Sequence, residues 1–317
     1  MRFLVTGANG FVGSALCDEL ARRGLYYRAA ARNTSCGDQF YAYGELNGET
    51  PWLPALERID VVVHLAARVH TMRDAAVDPL SEFRRINVEG TMNLAHQAVE
   101  AGVRRFVFVS SVKVNGEYSP PGEVFSESAA PAPEDQYALS KWEAEQALLQ
   151  LGRKTKLEVV IVRPPLVYGP GVRANFLKLL RAVHGGWPTP FKAINNKRSL
   201  LFVGNLIDAL ILCATHDDAA GETYMLDDGV VLSSSELVAA IANSLDAPNR
   251  DFAIPVWVLN TVARVLGRQA VVERLTQSLV VSNKKISTQL GWSPPFTIDE
   301  GLGLTAKWYA RQASELS

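Results

Sequence analysis

The sequence predicts an α/β fold, a doubly wound parallel sheet followed by a smaller, mostly helical C-terminal domain. Three observations predict it. Short, solidly apolar strands alternate with helical segments from residue 2 onward. A glycine-spaced turn directly follows the first strand. After Pro164 the alternation gives way to chain rich in Pro, Gly and Asn, and from Ser233 onward to helix. Strands covered on both faces read as continuous apolar runs, and parallel neighbours need a crossover, usually helical.

The first strand is Arg2–Thr6, and the apolar spacing of Gly10–Arg23 is helical. Tyr27–Ala31, Val61–Ala66, Phe106–Ser110 and Val159–Arg163 are further strands, and Asn87–Ala101 and Tyr137–Leu151 are helices. The stretch from Pro164 to Arg198 carries breaker residues and is expected to be irregular. Leu200–Cys213 and Thr223–Met225 are expected to return to the sheet, and the apolar stretch Phe252–Leu266 to form a helix packed on the second domain. The first domain is therefore 1–165 with returns at about 199–228, and the second is 166–198 with 229–317. A sheet of this kind binds ligands beyond the carboxyl ends of its strands.

The totals exclude several classes. A chain of 317 residues with a net charge of −1 can bury a full core, and it gives no electrostatic reason to expect nucleic acid or an anionic membrane as a partner. Cys17, Cys36 and Cys213 are few, odd in number and far apart, which fits a reducing cytosol and neither a disulfide framework nor a metal site. No apolar run approaches the ~20 residues of a bilayer span. The opening Met-Arg-Phe-Leu-Val-Thr-Gly is a strand entering a turn, not a signal peptide. A soluble, cytoplasmic protein without membrane insertion and without a metal is expected.

Thr6-Gly7-Ala8-Asn9-Gly10-Phe11-Val12-Gly13 joins the first strand to the first helix. Glycines there allow a tight turn, a close approach of backbone to pyrophosphate, and a helix lying close on its strand. The helix N-terminus adds free N–H groups and partial positive charge. The second strand ends Ala30-Ala31-Arg32-Asn33, with no acid for a ribose 2′-hydroxyl. Arg32 therefore points to the 2′-phosphate of NADP, with NAD as the alternative.

Tyr137 and Lys141 lie four apart near the start of a helix, on one face. A free phenol has a pKa near ~10. A neighbouring ammonium and an oxidised nicotinamide favour the phenolate and should lower it. The phenol can then exchange a proton with a substrate hydroxyl while hydride passes to or from the nicotinamide. Ser110 and Ser111 end a neighbouring strand and offer a hydroxyl for the same oxygen. His64, inside an apolar run, is expected to be a packed core residue.

Thr6–Gly13, His64-Leu65-Ala66-Ala67, Asn87-Val88-Glu89-Gly90-Thr91, Ser110-Ser111, Tyr137-x-x-x-Lys141 and Arg163-Pro164-Pro165-Leu166-Val167-Tyr168-Gly169-Pro170-Gly171 together resemble the extended short-chain dehydrogenase/reductases, the NAD-dependent epimerase/dehydratase family, over nearly the whole chain. The resemblance implies a Rossmann dinucleotide-binding domain and a small nucleotide-sugar domain. It implies Ser111, Tyr137 and Lys141 as the catalytic set. Ser111 is the match because it precedes Val112-Lys113-Val114-Asn115-Gly116. It also implies cofactor contacts at Gly7, Asn9, Gly10, Phe11, Val12, Gly13, Arg32, Leu65, Ala66, Ala67, Tyr137, Lys141 and Pro164. A homodimer through the helices at 87–101 and 137–151 is a further expectation of the likeness.

Dehydratases of this family carry Asp-Glu after the serine or threonine, whereas Val112 and Lys113 stand here, so dehydration is discounted. Two outcomes at sugar carbon 4 remain. Arg32 favours an NADPH-dependent reductase of UDP-4-keto-6-deoxy-N-acetylhexosamines in surface-polysaccharide synthesis. The alternative is a UDP-sugar 4-epimerase acting on UDP-glucose or UDP-N-acetylglucosamine. A non-sugar alcohol dehydrogenase and a non-catalytic NADP sensor are minor alternatives. For the UDP-sugar, the resemblance implies Asn175 and Arg198 at the diphosphate, Arg274 as a second phosphate group, and Phe191 at the uracil or in the core. Lys113 either faces the sugar or serves as a solvated or structural charge. Where the family often has His-Val-Asp-Asp, the sequence has Phe202-Val203-Gly204-Asn205.

Overall fold

The computed structural model describes residues 1–33, 39–69, 78–265, 267 and 269–315, the side chains of 269–271, 274, 314 and 315 excepted. The first half alternates strand and helix: β1 (Arg2–Thr6), α1 (Phe11–Arg22), β2 (Tyr26–Ala31), β3 (Phe40–Ala42), α2 (Leu53–Leu56), β4 (Val61–His64), α3 (Pro79–Arg84), a π-helical turn at Arg85–Glu89, α4 (Gly90–Glu100), β5 (Arg105–Val109), α5 (Gln136–Lys154) and β6 (Glu158–Arg163). Among the described residues these strands and β9 (Thr223–Met225) form a seven-stranded sheet in the order β3-β2-β1-β4-β5-β6-β9, every neighbouring pair parallel.

Alternation along the strands builds two cores. Phe3, Val5, Val63, Val107 and Val162 face one helical layer, while Leu4, Val62, Phe106, Phe108 and Ile161 face the other. Full burial of each such side chain stabilises the fold by roughly 1.5–3 kcal/mol. The strand order reverses at β1, flanked by β2 and β4, and the crevice at such a switch point is where an open α/β sheet takes its ligand. The register aligns Thr6 with His64 and His64 with Phe108, so these three residues sit side by side at the carboxyl ends.

Beyond β6 the chain departs from the sequence expectation. The stretch 164–198 contains β7 (Leu166–Tyr168) and α6 (Ala174–His184). Leu200–Cys213 does not return to the main sheet. Its first residues belong to β8 (Arg198–Phe202), which pairs with β7 and with β10 (Val231–Leu232) in a separate three-stranded sheet, and the rest is α7 (Val203–Thr215). Apolar residues surround α7 on most sides, and such a run carries no period that separates buried helix from buried strand. Thr223–Met225 does join the main sheet, beside β6.

The remainder is helical: α8 (Ser234–Ser244), α9 (Val256–Val265), α10 (Gln269–Thr276), α11 (Lys284–Leu290) and α12 (Ile298–Glu315). A capping box between Ser233 and Glu236 starts α8. The α9 segment is a helix, as expected, starting four residues later than expected: Ala263 is buried and Val256, Val258 and Leu259 are half-buried, while Trp257, Val262 and Val265 are exposed. Among the described residues no helix is long and apolar enough to cross a membrane.

Candidate active site

The turn after β1 is built for close backbone approach. Gly7 has φ +67°, and a Cβ there would lie 2.9 Å from the Ala66 backbone nitrogen. A Cβ on Gly13 would lie 2.1 Å from the Gly7 carbonyl oxygen. Gly10 caps α1 in extended backbone without a side-chain cap, and no acid occupies the first turn. Its N–H donates to the Gly7 carbonyl at 2.9 Å. The first N–H groups of α1 and the helix dipole thus remain available to an anion, in a cradle that any side chain at 7 or 13 would fill. These residues fit a dinucleotide pyrophosphate. Asn9 is exposed at the tip, Phe11 and Val12 are half-buried, and Leu65, Ala66 and Ala67 form the facing exit of β4. A Cβ on Gly171 would lie 3.4 Å from the Phe11 ring, so the loop after β7 closes on the same turn.

Behind the turn, the Thr6 hydroxyl accepts from the N–H groups of Leu65 and Ala66 at 3.2 Å each and lies 2.7 Å from His64 Nδ1. With both lone pairs occupied, its proton is left to donate to Nδ1. That fixes the proton of neutral His64 on Nε2, which donates to Thr91 Oγ1 at 2.9 Å. Burial, with the Lys141 charge, holds the His64 pKa down to about 3. His64 is a core residue, as the sequence predicts, and it ties β1 to α4. Because its folded pKa lies below its unfolded value, its contribution is present above pH ~6.5 and is lost as pH falls toward ~3. In urea titrations, wild type should lose about 3 kcal/mol more than His64→Gln between pH ~7.5 and ~4.5. Equal losses would show that His64 does not control the acid limb.

Tyr137 and Lys141 sit in the first turns of α5, capped by Asp135, whose carboxylate accepts from the Ala138 N–H at 2.6 Å. Lys141 is 2% exposed, with Nζ 4.0 Å from the centre of the Phe108 ring. The ring of Phe108 stacks on His64, so Lys141 stands at the same strand ends as the glycine turn. Asn87 holds this arrangement together. Its amide donates to Ser140 Oγ and to the Arg68 carbonyl, and its oxygen accepts from the Arg68 N–H at 2.8 Å. Ser140 in turn donates to the Tyr137 carbonyl at 2.8 Å.

Charge at the pair differs from the sequence expectation. Burial, with Asp135 adding, pushes the Tyr137 phenol up to about 12. Burial brings Lys141 down to about 7, against the pull of Glu145. In the protein alone, burial keeps the phenol a neutral donor. An approaching cationic ring is what favours its ionised form.

Ser111 is half-buried at the end of β5 and accepts from the Lys113 N–H at 3.2 Å. Ser110 is buried, and its Oγ has no partner among the described residues. Lys113 turns to carboxylates: its ammonium pairs with Glu117 and, at 2.8 Å, with Asp135. That contact ties the serine's turn to the cap of α5 and favours the structural of its two expected roles. Pro164 is buried, and its carbonyl accepts from the Val112 N–H at 3.0 Å. Arg32 is exposed just past β2.

Sequence reasoning missed a buried ion pair beneath the site. Arg163 donates to Glu145 at 3.0 and 2.5 Å and to Asn115 Oδ1 at 3.1 Å, the two charged side chains being 6% and 1% exposed. The signal was present: Arg163 ends an apolar strand, and Glu145 lies one turn beyond Lys141 on the same helix face. A charge in such a place must be paired.

The expected sugar-nucleotide residues lie on the part of the chain that follows β6. Asn175 is exposed in the first turn of α6, and Phe191 is half-buried against the main core, its N–H donating to Asp251 at 2.8 Å. Arg198 opens β8 and donates to the Gln277 carbonyl at 3.2 Å. Gln277 also lines a cavity of about 240 Å³ with Ser119, Ile194, Asn196, Val256 and Ser278. The side chain of Arg274 lies outside the described residues. Two buried acids hold this region. Asp227, which burial pushes up to about 6, accepts from Ser199, and Asp228 accepts from Tyr168 and, at 2.7 Å, from Asn205. The second contact explains the departure at Asn205. An aspartate there would set two buried carboxylates together, whereas the amide donates to Asp228 and to the Phe296 carbonyl while accepting from the Phe296 N–H.

Comparison with known proteins agrees with this layout. The model of the "NAD dependent epimerase/dehydratase family" matches residues 3–226. The UDP-glucose 4-epimerase of Vibrio cholerae is 42% identical over 308 residues, covering 96% of this chain and 94% of that protein. The N-acetyl-α-D-glucosaminyl-diphospho-ditrans,octacis-undecaprenol 4-epimerase of Escherichia coli O157:H7 is 27% identical, with the same two coverages of 96% and 94%. Among solved structures, MoeE5 in complex with UDP-glucuronic acid and NAD superposes with a TM-score of 0.78 at 27% identity, covering 98% of this chain and 100% of that one. With a glycine cradle at the switch point and a Tyr-x-x-x-Lys helix beside it, the chain belongs to the NAD-dependent epimerase/dehydratase family of extended short-chain dehydrogenase/reductase enzymes.

Proposed function

We propose that this enzyme is a UDP-sugar 4-epimerase that keeps NAD bound through its cycle. The observation that carries the reading is the site's complement of proton-moving groups. Tyr137 and Lys141 stand at the strand ends, while the positions where a dehydratase needs an acid and a base hold buried Val112 and a lysine paired with Glu117 and Asp135. The named relatives support the 4-epimerase over the reductase, and MoeE5, which binds NAD, supports NAD over NADP.

When bound, the nicotinamide supplies hydride acceptance and return at carbon 4. The chain's own groups do the rest. Tyr137 exchanges the proton of the 4-hydroxyl, Ser111 bonds the same oxygen, and Lys141 lends the phenol its charge. The glycine turn holds the pyrophosphate, and Asn175, Arg198 and Arg274 hold the sugar nucleotide's diphosphate, with Phe191 at the base.

The test is to incubate the purified enzyme with UDP-glucose or UDP-N-acetylglucosamine and to resolve the 4-epimers. The expected result is interconversion with no stoichiometric loss of nicotinamide. Consumption of NADPH with UDP-4-keto-6-deoxy-N-acetylglucosamine, and no epimer, would establish the reductase instead. Arg32, exposed past β2, is the residue that speaks for that second reading. With NAD as the cofactor, Arg32→Ala should change NAD affinity by less than about twofold. A loss of about tenfold or more in NADP affinity, with NADP the tighter ligand of wild type, would favour the reductase.

A further inference from the structure

The second domain carries an apolar face that its core leaves uncovered. On α9, Trp257 is 71% exposed, Val262 51% and Val265 81%, and Trp187 and Phe252 stand out at 71% and 42%. Trp187 and Phe252 lie on paired segments, the second of which leads into α9. Thr189 bridges Asp251, and the Phe252 N–H donates to the Thr189 carbonyl at 2.9 Å, so the chain after Trp187 is zipped to the chain leading into α9. A Cβ on Gly186 would lie 3.7 Å from the Arg250 guanidinium carbon, which sets Arg250 beside Trp187. Apolar surface gathered in this way marks an interaction site.

Charge selects the occupant. The single charged residue of α9 is Arg264, and Lys192 and Arg250 are exposed on the paired segments. Asp251 faces inward, to Thr189, Ser235 and the Phe191 N–H. A two-fold contact with a second copy would set like patches, and so cation against cation. Anionic headgroups would instead meet each basic residue favourably. Tryptophans suit that boundary, since the ring is apolar and the indole N–H reaches water. At ten residues α9 is too short to span a bilayer but long enough to lie in its headgroup layer.

We propose that this face docks the enzyme on an anionic bilayer surface, with Trp257 and Val265 entering the headgroup layer and Arg250 and Arg264 against the lipid phosphates. Val256, the first residue of α9, also lines the cavity bordered by Gln277, the partner of Arg198. Docking would therefore bring the second domain's cleft to the membrane. The proposal holds whichever sugar is turned over, because its readout is vesicle binding.

The test is flotation of the full chain with phosphatidylcholine vesicles, with and without phosphatidylglycerol. Binding is expected only with phosphatidylglycerol and should weaken in high salt. Trp257→Ser/Val265→Ser and Arg250→Glu/Arg264→Glu should each weaken it by about tenfold or more while leaving turnover of soluble UDP-sugar unchanged. Three results would overturn the proposal: no flotation with either vesicle, flotation that neither variant weakens, or self-association at micromolar concentration that Trp257→Ser/Val265→Ser abolishes.

Discussion

Tyr137→Phe should lower turnover by about two to four orders of magnitude while leaving NAD affinity within about twofold. The substitution removes one oxygen and no carbon. Its ring meets Phe83 edge-on, 6.2 Å between centres, a contact phenylalanine preserves. The cradle at Gly7 and Gly13 is untouched, so cofactor binding and folding should persist. The two measurements are steady-state turnover and cofactor titration by fluorescence. Turnover near wild type would mean that another group carries the proton.

Glu145→Ala should destabilise the protein by about 3–5 kcal/mol, because it strands the buried Arg163 guanidinium. Asn115 would remain as a partner, but it is neutral. Urea unfolding measures the loss, and a change below about 1 kcal/mol would contradict the account. The milder Glu145→Gln separates stability from function. It keeps the volume and an acceptor while removing the charge that raises the Lys141 pKa. The pH profile of turnover should then shift even where the variant remains folded.

What the sequence reveals follows from the range of the interactions. The glycine turn is legible because positive φ and close backbone contact demand glycine at fixed spacing, and residues 7 and 13 bear this out. The facing of Tyr137 and Lys141 needs only a helix. The strands β1, β4, β5 and β6 are legible because each is apolar on both faces. Contacts across long loops are not legible. The Arg163–Glu145 pair exists only once α5 docks on β6, and Tyr168–Asp228 links residues 60 apart. The sequence does not separate the helix α7 from a strand, because an apolar run has no period to tell the two apart. The direction of the Tyr137 pKa was missed for a related reason. Spacing puts a lysine one turn away, but only the packed structure shows that burial raises the phenol and lowers the lysine.

The most direct measurement uses UDP-glucose deuterated at carbon 4. If one site takes hydride from that carbon and returns it to the opposite face, the UDP-galactose formed should retain the deuterium at carbon 4, even in ordinary water. Product carrying solvent hydrogen at that carbon, or a need for added NADPH to form any product, would contradict the account.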